Sequence, residues 1–149
     1  MLRRLHAVAG FLALLALLSF WLATVVAEGF LDRPAVAAVK GAIVCGLLVL
    51  IPAIATAGMT GAALSRGRAG PAAVKTRRMR VLAANGVLVM IPAALFLNAK
   101  AVAGELDGLF FLIQAAELTV GTVQIAFMAM NLRDGLRMSG RLGGRRTSV

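Results

Sequence analysis

The 149-residue chain is 60% hydrophobic, holds 16 Lys and Arg against six Asp and Glu, and has a formal net charge of +10. A soluble domain averages nearer half apolar and a quarter charged, whereas only 15% of these residues are charged and the mean hydropathy is +0.91. Four apolar blocks of about 20 residues, each long enough to span a bilayer core, leave no room for an extramembrane catalytic domain, and no aromatic or motif pattern turns the basic excess into a nucleic-acid site.

The first block, Leu5–Ala27, follows Arg3 and Arg4. Its 23 residues exceed the roughly 7–15 of a signal-peptide core, so a retained first helix is expected. His6, the single histidine, stands at its start. Trp21 and Glu28 fall near its far end, where a tryptophan suits an interfacial anchor. Ser19, Ala23 and Ala27 recur every four residues, a small-residue seam that lets helix backbones approach.

The second block, Val39–Gly58, repeats that seam at Ala38, Ala42 and Gly46 and carries the single cysteine, Cys45, so no disulfide framework or CxxC motif exists within the chain. Lys40 is expected to open this helix at the rim, from which its stem can reach inward. Residues 59–80 read as a basic loop with Arg66, Arg68, Lys75, Arg77, Arg78 and Arg80.

The third block, Val81–Ala99, matches the second at an offset of 40: Gly46–Ala53 reads GLLVLIPA and Gly86–Ala93 reads GVLVMIPA. A match between antiparallel neighbours is the mark of an inverted-topology repeat. Pro52 and Pro92 should each free a carbonyl one turn earlier, on Leu48 and Leu88, and bend their helices. Lys100 closes this block at the same rim as Lys40.

The fourth block, Leu109–Leu132, carries Gln114, Glu117, Gly121, Gln124, Met128 and Asn131 at spacings of 3, 4, 3, 4 and 3. Such residues share one face of a helix. Polar groups at membrane depth must face protein or water, so this stripe marks the interior. Glu117 falls near mid-membrane, and Gly121 leaves space beside it for a neighbouring helix, a water or a ligand. Asn85 and Gln124 fall at comparable depths and are expected to hydrogen-bond. Residues 137–149 read as a disordered Gly-, Arg- and Ser-rich tail.

If four helices alternate, 13 of the 16 Lys and Arg fall on one side and only Arg33, Lys40 and Lys100 on the other. Because Lys and Arg mark cytoplasmic loops, the expected fold is an all-α integral membrane protein. It is a four-helix transmembrane bundle in the inner (cytoplasmic) membrane, with both termini cytoplasmic and no soluble domain. The basic face suits anionic lipids.

Three functions are compatible with these residues. The leading expectation is a non-enzymatic accessory or interaction subunit, partnered by another membrane protein or a second copy of itself. The second is a transporter or ligand-binding bundle centred on Glu117, with Gln114, Gln124, Asn85 and Gly121 around it. The third is a redox protein holding haem b or a quinone, with His6 and Met128 as the axial pair. No cofactor is expected under the first two. No phosphate-binding glycine loop, HExxH or cysteine cluster is present, and no metal site is expected.

Overall fold

The computed structural model describes residues 1–65, 81 and 84–138. The basic loop beyond Ser65, including its six Lys and Arg, and the tail beyond Met138 lie outside the described residues. The described chain is helical: α1 spans Leu2–Phe30, α2 Arg33–Ser65, α3 Ile91–Val102 and α4 Gly108–Met138. A π-helical turn, Gly86–Met90, leads into α3. α1, α2 and α4 are each long and apolar enough to cross a membrane, and Gly86–Val102 forms a shorter apolar helix.

Several boundaries differ from the sequence reading. Asp32 accepts the N–H of Ala35 at 3.0 Å, an N-cap that starts α2 at Arg33 rather than Val39. Pro34 sits in that first turn, where its missing N–H costs nothing. α2 also continues through Ser65, so Met59–Ser65 is helix rather than loop. The fourth helix runs two residues into the predicted tail, to Met138. The α3–α4 turn is closed by Gly104 at φ +74°, a conformation that favours glycine, and by Asp107, which accepts the N–H of Phe110 at 2.9 Å.

Backbone approaches among the described residues form a ring: α1 on α2, α2 on α3, α3 on α4, and α4 back on α1. The diagonal pairs make no such backbone approach, although Lys40 of α2 reaches α4 with its side chain. The π turn packs on α4 but not on α2, so α2 and the chain leading into α3 diverge away from the α3–α4 turn. The two matched octapeptides therefore fold differently. Gly46–Ala53 is α-helical through Pro52, while the chain ahead of Pro92 takes a π turn in which Ile91 N–H bonds the Gly86 carbonyl.

The exterior is apolar, and the interior mixes small and polar residues with a few larger apolar ones such as Leu97 and Phe110. Leu15, Leu22, Leu48, Val49, Leu112 and Val123 are exposed, while Ala13, Ala27, Ala53, Ala57 and Ala94 are buried together with Thr24, Lys40, Gln114, Gln124 and Asn131. One apolar cluster gathers Ala27, Val36, Leu97, Ala101 and Phe110 near the turns. Another gathers Ala13, Leu17, Leu50 and Ala53 further along the bundle. Gly46 admits the Phe20 ring of α1, since a Cβ there would enter it.

Candidate functional site

The stripe on α4 faces inward, as its spacing implies. The residue at the centre of the site is one that the sequence placed at the rim. Starting α2 at Arg33 puts Lys40 two turns inside the helix, where it is 2% exposed. Its ammonium is held from two sides. From α1, Glu28 Oε1 lies 2.9 Å away, off the direction of a well-formed hydrogen bond, and Thr24 Oγ1 accepts at 3.5 Å. From α4, the Gln114 side-chain oxygen accepts from Nζ and Glu117 Oε2 stands at 3.8 Å. The Phe110 ring centroid is 5.9 Å from Nζ, within cation–π range. The Gln114 amide nitrogen faces Glu117 without closing a hydrogen bond.

This arrangement sets one cation against two carboxylates. Burial of an ammonium is tolerable only with such company, because isolated charges are strongly disfavoured away from water. Lys100, the other rim lysine, takes no part: it bonds Glu105 at 3.0 Å and Asp107 at 2.8 Å in the α3–α4 turn. There the Lys100 ammonium, with the Phe110 N–H, holds the Asp107 carboxyl below the usual carboxylate range.

Beside the Lys40 group lies a cavity of about 360 Å³ that reaches all four helices. Leu17, Phe20, Ile43, Leu47, Met90 and Leu118 make it overwhelmingly apolar. Its polar points are Glu117, Gln124 and Thr24. The cavity runs into the gap between α2 and the π turn, where Ile51, Ala55 and Met59 face Gly86 and Val87. Gly121 is part of the wall. A Cβ at Gly121 would stand 3.3 Å from Trp21 Cδ1, so the glycine admits the indole rather than leaving empty space. Trp21 in turn donates from Nε1 to the Leu118 carbonyl at 3.2 Å. It is thus a cavity-wall residue and not the interfacial anchor expected from its position.

The other predicted site residues fall elsewhere. Asn85 and Gln124 form no hydrogen bond with each other; Gln124 Nε2 lies over Gly86 instead, 4.0 Å from where a Cβ would be. The extra residue in the π turn rotates the preceding chain by about 100°, which moves Asn85 off that line. His6 Nδ1 donates to the Ala57 carbonyl at 3.0 Å, shares Thr60 Oγ1 at 3.2 Å, and lays its ring on Gly61 of α2. Met128 packs against the Ala13–Leu50 cluster. His6 and Met128 therefore each have a packing role within the bundle. Among the described residues no group of three or more His, Cys, Asp or Glu is placed to hold a metal ion.

Lys40, Thr24, Glu28 and Trp21 were the residues the sequence reading undervalued. Two signals were available. Thr24 and Glu28 are four apart on one face of α1, and the Asp32-Arg33-Pro34 start would have placed Lys40 inside the helix. Compared with known proteins, the chain matches no family model, no curated protein and no solved structure.

Proposed function

We propose that this protein spans the cytoplasmic membrane four times, with both termini in the cytoplasm, and binds a lipophilic ligand in the cavity beside Glu117. The cavity carries the ligand-binding reading: it is apolar, it extends to a gap between two helices, and it presents one carboxylate and one carboxamide on its wall. An apolar pocket with a few convergent polar groups is the usual form of a small-molecule site. The apolar exterior supports the membrane assignment, since soluble monomers rarely expose so much contiguous apolar surface. The distribution of Lys and Arg supports the orientation. In a Cys45→Ala background, Ser148→Cys should react with an impermeant maleimide only after the membrane is opened; labelling of intact cells contradicts the topology.

Trp21, the only tryptophan, lines the cavity and reports its occupancy. In lipid nanodiscs, 1-bromooctane should quench Trp21 emission with a saturable component. Gly86→Leu, which projects a side chain into the gap, should remove that component. Quenching that is linear and identical in both proteins would defeat the reading.

A second reading, an accessory or interaction subunit, is favoured by α2. Ala38, Ala42 and Cys45 lie on one helical face and are exposed in the monomer. Oxidative cross-linking through Cys45 should then trap a dimer in native membranes, or a pull-down should recover a membrane partner. Failure of both removes this reading.

A further inference from the structure

We infer that the cavity takes a lipophilic monocation and that Glu117 exchanges a proton for it. This inference rests on the ligand-binding reading and assigns the charge of the ligand. Its basis is the unequal division of Lys40 between two carboxylates. Glu28 holds the ammonium at 2.9 Å and is not part of the cavity wall. Glu117 stands back at 3.8 Å, beyond hydrogen-bonding distance, and lines the cavity. One lysine neutralises one carboxylate, and Glu28 has the closer claim. The second carboxylate is left beside an apolar space, where an uncompensated charge is costly. Two partners can neutralise it: a proton, when the cavity holds nothing charged, or a cation whose apolar body fills the cavity. An anion would meet the surplus carboxylate and be repelled.

Among the described residues, the groups facing Glu117 leave no other resident partner. α1 contributes Glu28 and Thr24, α2 contributes Lys40, and α4 contributes Gln114. α3 and its π turn contribute Gly86, Val87, Met90, Ile91 and Ala94 to the cavity, none of them titratable. Cation binding and protonation thus compete for one carboxylate. On binding, the proton leaves Glu117 for the aqueous phase; on release of the cation, it returns. No covalent bond is made or broken.

The test uses the full-length protein in nanodiscs and the Trp21 signal, with empty nanodiscs as the partition control. Tetraphenylphosphonium is titrated as the cation, tetraphenylborate as an anion of the same shape, and 1-bromooctane as the neutral probe. The expected result is saturable binding of tetraphenylphosphonium and of 1-bromooctane, with none of tetraphenylborate. A hydrogen bond or ion pair to a charged partner sets the scale, so Glu117→Gln should lower the affinity ratio of cation to neutral probe roughly tenfold or more. Acidification of the wild type should lower the same ratio, which keeps the proposal testable if Glu117→Gln does not fold. Saturable 1-bromooctane binding without tetraphenylphosphonium binding overturns the charge assignment and leaves the cavity standing. Equal binding of phosphonium and borate, or a ratio unmoved by both Glu117→Gln and acid, overturns it as well. If no probe saturates, the ligand-binding reading falls together with this one.

Discussion

Replacing Lys40 by Met tests the interior most severely, because Met keeps the length of the stem and removes only the charge. At an effective dielectric of about 20, the attraction of Nζ for a unit charge is roughly 6 kcal/mol at the 2.9 Å of Glu28, and Glu117, at 3.8 Å, adds roughly 4 kcal/mol only when it is ionised beside a bound cation. Desolvation of the ammonium offsets several kcal/mol of that sum. Removing one partner of a buried ionic group costs about 3–5 kcal/mol, since the remaining charges stay buried and unpaired. Protonation limits the loss. A carboxylate with an ordinary solution value takes up a proton at pH 7 at a cost of about 3.5 kcal/mol. The folded variant should therefore hold one proton more than the cation-free wild type, in which Glu117 already carries one, and its deficit against wild type should shrink as the pH falls. The shrinkage should approach about 1.4 kcal/mol per pH unit for each proton taken up. Equilibrium unfolding in mixed micelles, followed by Trp21 emission, measures both quantities. Lys40→Met combined with Glu28→Gln should recover most of the loss. A deficit below about 1 kcal/mol that does not change between pH 7 and pH 5 would refute the buried-triad account.

Other changes probe separate contacts. Gly46→Leu drives its side chain into Phe20 and should destabilise by about 1–3 kcal/mol through overpacking, with partial recovery by Phe20→Ala in the same unfolding assay. Asp32→Ala removes the cap on α2 and should cost about 1 kcal/mol, read from the unfolding midpoint. Gly41→Ser places a hydroxyl near Asn98 Oδ1, which is buried without a partner, and should raise stability by about 1 kcal/mol. The Lys100 ammonium lowers the Asp107 carboxyl in the folded state. Its contribution is therefore present above the ordinary carboxylate range and lost as the pH falls through the lowered folded value. Asp107→Asn should flatten the acid limb of the stability profile.

What could be read from the chain and what could not divide along a physical line. The apolar blocks and the inward stripe on α4 depend on composition and on the 3.6-residue period; the stripe faces inward, and among the described residues three blocks form helices long enough to cross a membrane while the third block forms the shorter Gly86–Val102. Gln114, Gln124 and Asn131 are buried as the spacing implies. The errors come from helix ends and from local helix type. Beginning α2 at Val39 left Lys40 at the rim, although the Asp32 cap and Pro34 moved the true start six residues earlier. That shift turns a lysine with a choice of partners into the centre of the site. The expected Asn85–Gln124 bond failed because a π turn adds a residue that hydropathy does not reveal. Gly121 was read as room for a neighbouring helix, a water or a ligand, and what fills it is the Trp21 indole of α1. Identifying that contact requires knowing which helices neighbour one another in the ring, and a single sequence carries no such information.

The most direct measurement of the central claim is a set of side-chain distances and ligand contacts by solid-state NMR of the protein in bilayers, with ¹³C in the Glu side chains and ¹⁵N in the Lys side chains. The chain has three residues of each type, so the signals can be assigned. The account predicts a close Lys40–Glu28 pair, a longer Lys40–Glu117 separation, and a Glu117 carboxyl that alone shifts when a ligand enters the cavity. A spectrum in which Lys40 pairs with Glu117 and not Glu28, or in which Glu117 is insensitive to every ligand, would contradict it.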